Sequence, residues 1–95
     1  MADITVEVRA FADFRSVLGA RTKVVLSEGQ TVKDLLEVLF ERHDGLREKI
    51  LDSEGRPGEG VDIILNGRNV GYTKDLTVKL RDGDQIFFFP PLSGG

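Results

Sequence analysis

Thr31-Val32-Lys33-Asp34-Leu35-Leu36-Glu37-Val38-Leu39-Phe40-Glu41-Arg42 carries the plainest structural signal in the chain. Val32, Leu35, Leu36, Leu39 and Phe40 recur at i, i+3, i+4, i+7 and i+8, which lines them up along one side of an α-helix. Thr31 is placed to cap the first turn, and Asp34, three residues on, to return the contact to the cap. Glu37, Glu41 and Arg42 fall on the wet side, and Gly45 is a suitable stop. A helix this short gains most of its stability from packing, so its stripe requires an apolar surface to lie on.

That surface is predicted on either side of the helix. Ile4, Val6 and Val8 alternate with Thr5, Glu7 and Arg9, the period of a strand with one buried face. Phe11, Phe14 and Leu18 have helical spacing and predict a short helical turn over 12–18 before Gly19. Val24, Val25 and Leu26 predict a second strand, antiparallel to the first, broken at Gly29-Gln30. Residues 52–60 read as a flexible surface loop; their glycines do not sit between a strand and a helix as a phosphate-binding loop requires. Val61 to Leu65 is a third strand, followed by Asn66-Gly67, a strong tight-turn signal. Residues 69–80 mix apolar positions with breakers and predict a short strand or turn. Asp82-Gly83-Asp84 is a turn, and Gln85 to Phe89 is the last strand. The pattern is α+β, with the first and last strands as natural neighbours in a mixed sheet and the helix across one face.

The last strand holds four apolar residues in a row, Ile86 to Phe89, although neighbouring strand residues face opposite sides. Polar Gln85 sets the outward parity. Ile86 and Phe88 are therefore expected in the core, and Phe87 and Phe89 as exposed aromatics of the kind that mark a binding surface.

Composition narrows the function classes. Ninety-five residues make one small domain. The net charge of −3 and scattered Lys and Arg argue against nucleic acid as a partner. Cysteine is absent, which removes disulfides, thiolate metal sites and a cysteine nucleophile. The sequence shows neither a secretory leader nor an apolar run of membrane-spanning length, so a cytoplasmic protein that does not bind membranes is expected. His43, the single histidine, lies at the helix end, where a C-terminal electrostatic role fits better than catalysis. Asp82 and Asp84 suit turn chemistry better than calcium binding. No catalytic side chain and no metal site are assigned.

The final residues add a different message. Pro90-Pro91 ends strand pairing and stiffens the start of the segment beyond the sheet. Leu92-Ser93-Gly94-Gly95 then thins to two residues without side chains. Residues 90–95 span roughly 20 Å when extended. A stiff stem, a slim tip and a carboxylate at Gly95 would form an arm suited to another protein's active site.

The ending Phe89-Pro90-Pro91-Leu92-Ser93-Gly94-Gly95, together with Asn66-Gly67-Arg68 and the Asp82-Gly83-Asp84 turn, resembles the MoaD/ThiS family of ubiquitin-like sulfur carriers. It is similar in particular to the small subunit of molybdopterin synthase and to the small archaeal modifier proteins. The resemblance implies a β-grasp domain over 1–89 and an extended, flexible tail over 90–95. It implies that an E1-like activating enzyme uses ATP to adenylate Gly95, and that a sulfur donor system converts the adenylate to a thiocarboxylate. Pro90, Pro91, Leu92, Ser93 and Gly94 would then pass into the large subunit of molybdopterin synthase, with Phe87 and Phe89 docking beside them. The chain would be a non-catalytic sulfur donor for dithiolene formation, with no bound cofactor. The alternative is a protein modifier joined through Gly95 to target-protein lysines, and one chain could fill both roles.

Overall fold

The structure, a computed structural model, describes residues 2–58, 60–70 and 76–90. Its elements run β1 (Asp3–Ala10), α1 (Asp13–Leu18), β2 (Arg21–Ser27), α2 (Val32–Arg42), α3 (Leu46–Ile50), β3 (Asp62–Leu65), β4 (Arg68–Asn69) and β5 (Gln85–Phe89). The strands form one mixed sheet in the order β2-β1-β5-β3-β4. β1 pairs antiparallel with β2 and parallel with β5, while β3 is antiparallel to both β4 and β5. This is the β-grasp arrangement, with the first and last strands adjacent at its centre as the sequence predicts.

One face of the sheet is dry. Ile4, Val6, Val8, Val24, Leu26, Ile63, Leu65, Ile86 and Phe88 point into it, and the α2 stripe Val32, Leu35, Leu36, Leu39 and Phe40 closes it from the other side. The capping contacts form as predicted. Thr31 N–H donates to Asp34 Oδ2 at 2.8 Å, and Asp34 N–H donates to Thr31 Oγ1 at 3.4 Å. Thr31→Ala is expected to lower folding stability by about 1 kcal/mol, with no change at the sheet. A urea melt followed by circular dichroism checks it, and an unchanged midpoint would show that the cap is idle.

Several segments differ from expectation. Residues 46–50 form α3, whose five residues are too few to show a period, yet Leu46 and Ile50 at i, i+4 are both buried. Gly45 follows the end of α2 as predicted, but its left-handed backbone (φ 84°) also turns the chain into α3. Residues 52–58 are hydrogen-bonded rather than loose. Asp52 Oδ1 accepts from Glu54 N–H at 2.9 Å and Arg56 N–H at 3.0 Å, and Pro57 is buried. The side chain of Asp52 thus supplies the local order that the glycine-rich composition hides.

The ambiguous stretch divides in two. Its first residue, Asn69, ends the short β4 (Arg68–Asn69), which follows the Asn66-Gly67 turn, where φ is 49° and then 86°. Its end serves the helix: the Val32 and Lys33 N–H groups donate to the Val78 and Leu76 carbonyls, each at 3.0 Å. Those are first-turn donors with no partner inside α2, so the segment satisfies a helix end instead of a full strand ladder. Residues 71–75 lie outside the described residues.

Candidate functional site

The last strand and its outer face form the candidate site. Parity along β5 is as predicted: Ile86 and Phe88 are fully buried, while Phe87 and Phe89 lie on the opposite face. The two outward rings are half-buried rather than exposed, because a third ring covers them. Phe11 follows β1, and its N–H donates to the Phe88 carbonyl at 3.1 Å, extending the β1–β5 pairing by one residue. That contact keeps Phe11 in strand parity with Thr5, Glu7 and Arg9 and turns its ring outward.

The helical grouping of Phe11 with Phe14 and Leu18 is therefore corrected. Helix α1 begins only at Asp13, after Ala12 takes a positive φ of 55° that redirects the chain. Phe14 and Leu18 enter the core and Phe11 does not. Its ring centroid lies 4.5 Å from that of Phe89 and 6.1 Å from that of Phe87, and the latter two rings are 6.0 Å apart. All three planes agree within 8°, so the rings stack on one another as one aromatic cluster. Ile64 opposite Phe87 and Asp62 opposite Phe89 continue the face onto β3, both half-buried. Strand parity continued past Ala10 was the signal that could have found Phe11.

Pro90 follows directly and is half-buried at the edge of this surface. Pro91, Leu92, Ser93, Gly94 and Gly95, the expected tail and attachment residues, lie outside the described residues. Of the sequence-derived site, the structure thus brings together Phe87, Phe89 and the first residue of the stem.

At the far end of β5 the acidic residues serve the fold. Asp82 Oδ1 accepts from Thr5 N–H at 2.8 Å, and Asp84 accepts from Asn66 Nδ2 and from Arg81 N–H, each at 2.8 Å. They pin the 81–84 turn to β1 and to the Asn66-Gly67 turn, as turn chemistry predicts. On the outer face Glu7 holds both Gln85 and Arg21, and the Gln85 hydrogen bond, then the Arg21 charge, keep its carboxyl below the usual carboxylate range. His43 caps the end of α2 through its N–H, which donates to the Leu39 carbonyl at 3.0 Å. Among the described residues no cluster of His, Asp or Glu could hold a metal ion. No helix among them is long and apolar enough to cross a membrane.

Comparison with known proteins agrees with this geometry. The chain is 34% identical over 90 residues to small archaeal modifier protein 3 of Haloferax volcanii, covering 94% of this chain and 97% of that protein. It is similar to the solution structure of the Haloferax volcanii HVO 2177 protein, with a TM-score of 0.82, 33% identity, and 98% and 88% of the two chains covered. It is also similar to a Pyrococcus furiosus protein described as a candidate molybdopterin converting factor, subunit 1, with a TM-score of 0.77, 34% identity, and 94% and 99% covered. The ThiS family model matches residues 8–95, nearly the whole chain. The chain therefore belongs to the ThiS family, the group of small β-grasp proteins that takes in sulfur carriers and ubiquitin-like modifiers.

Proposed function

We propose that this protein is a sulfur carrier for dithiolene formation in molybdopterin synthesis, with the sulfur held at Gly95. A carboxylate is a poor acyl donor. An E1-like enzyme would join the Gly95 carboxylate to AMP from ATP, releasing pyrophosphate, and a sulfur nucleophile would then displace AMP to leave a thiocarboxylate. The chain supplies no catalytic side chain to this sequence and holds no cofactor of its own; its role is to be docked and to give up its sulfur. The stacked Phe11–Phe87–Phe89 cluster just before the tail carries the reading. A carrier that delivers to one deep acceptor site benefits from an aromatic anchor beside a stiff stem.

A second reading rests on the 34% identity to small archaeal modifier protein 3. The same activated Gly95 can be attacked by a lysine amine, which would make the chain a protein modifier. Disrupting its gene and assaying two outputs, molybdopterin and lysine-linked conjugates, separates the roles. Loss of molybdopterin is expected, and a gain of one oxygen-to-sulfur exchange in the intact mass of the native protein should accompany the wild type. Normal molybdopterin with lost conjugates, in cells without a second carrier of this kind, would overturn the first reading. Loss of both would mean that one activated tail serves two acceptors.

A further inference from the structure

Arg9 sits on the outer sheet face between Arg21 of β2 and Phe87 of β5. Its guanidinium carbon lies 5.8 Å from the centre of the Phe87 ring. Its Nε is shut off from solvent and has no hydrogen-bond partner among the described residues. Buried donors are satisfied in the great majority of native structures, so one left bare calls for a reason.

The neighbouring acid does not supply the missing partner. Glu7 spends Oε1 on Arg21 Nε at 2.6 Å and Oε2 on Gln85 Nε2 at 2.8 Å. Asp62, two strands away on the same face, forms no ion pair with Arg9 among the described residues. A cation is thus held against the aromatic surface of a chain whose net charge is −3, with its neighbouring acid already committed.

We infer that Arg9 is the receptor for a carboxylate, an Asp or Glu side chain flanked by apolar residues, that a partner protein lays on the Phe11–Phe87–Phe89 surface. The inference rests on the proposed docking role and adds the chemistry of the partner's face. A carboxylate approaching a guanidinium from the side engages Nε and one Nη together, a paired geometry that lysine cannot reproduce. In the free chain the guanidinium lies down on Phe87. Swinging it toward an arriving carboxylate satisfies the bare donor and uncovers the ring for contact in one movement. The three rings would supply the contact area, and Arg9 would select which apolar surfaces are accepted.

The test uses the full chain labelled with nitrogen-15, with the Arg9 Nε–H resonance assigned by its loss in Arg9→Lys. Benzoate is the probe and benzamide its uncharged counterpart. Benzoate is expected to shift the Arg9 and Phe87 signals saturably, and benzamide is not. Equal shifts from both, or none from either, overturn the inference. A chain ending at Pro90 is run alongside: if truncation alone moves the Arg9 signal, the occupant is the chain's own tail and the inference also fails. In parallel, affinity for the large subunit of molybdopterin synthase of the same cell is measured for the wild type, Arg9→Met, Arg9→Lys and Phe89→Ala, after thermal melts show each variant folded. Both Arg9 variants should bind about tenfold to a hundredfold more weakly, the range for a lost charge-assisted hydrogen bond. Wild-type affinity in Arg9→Met with weakened Phe89→Ala would overturn the Arg9 inference and leave the docking role standing. Failure of the wild type to bind, with the benzoate response intact, would remove the docking role and leave Arg9 as a carboxylate receptor.

Discussion

A chain ending at Gly94 is expected to fold normally and to transfer no sulfur. The dry core is assembled from residues 4–88, so nothing in it depends on Gly95. The reacting carboxyl, by contrast, would sit one residue short of the activating enzyme's nucleotide. Adding a residue after Gly95 should abolish transfer in the same way, by burying the carboxyl in a peptide bond. Gly94→Val should fold equally well and fail at passage, because a β-branched side chain adds width and stiffness. Single-turnover adenylation and thiocarboxylate formation, read by intact mass, measure all three. Normal transfer by the Gly94-terminated chain would sink the proposal that the tip is the reacting group.

The second large effect concerns stability. Phe88→Ala is expected to cost about 3–5 kcal/mol, the range for emptying a buried aromatic site. Phe88 is fully buried in the central strand and packs on Phe14, with ring centres 6.5 Å apart. Phe87→Ala and Phe89→Ala should cost less, because their rings are half-exposed, and should instead weaken partner affinity. The stacking found with Phe11 raises the stability cost of these two above that of an ordinary surface change, by about 0.5–1.5 kcal/mol for each aromatic pair lost. Guanidinium melts of the three variants rank them. A Phe87→Ala loss equal to that of Phe88→Ala would mean that the outer rings belong to the fold rather than to docking.

The elements with a clear period were legible in the residues. The α2 stripe, the alternation of β1 and the parity set by Gln85 each follow from one buried face and one wet face. What escaped had other causes. Helix α3 is shorter than two turns and leaves no period to read. The 52–58 turn is ordered by the Asp52 carboxylate together with backbone hydrogen bonds such as Gly58 N–H to the Ile50 carbonyl, which composition cannot weigh. Phe11 was misassigned because the helix spacing it shares with Phe14 and Leu18 is real, while the positive φ of Ala12 that separates them is a backbone property no residue name announces. The arm at 90–95 was read on a different ground, the succession of residue types rather than a packed geometry, and its residues 91–95 lie outside the described residues.

The parallel pairing of β1 with β5 joins Glu7 to Gln85, residues 78 positions apart, through a hydrogen bond across the middle of the sheet. The sheet therefore cannot close until β5, 78 positions after its partner residue in β1, has been made. A nascent chain has β1 and β2 early, but its inner edge stays open until the residues just before the tail emerge. Closing so long a span is entropically slow, and an unclosed sheet edge invites pairing with other chains. The same wiring has a protective side. A chain cut or stalled before β5 lacks both its central strand and the residues after it, so under the proposed function a broken molecule could not present a working tip. Integrity of the fold and possession of the proposed reactive end would be inherited together.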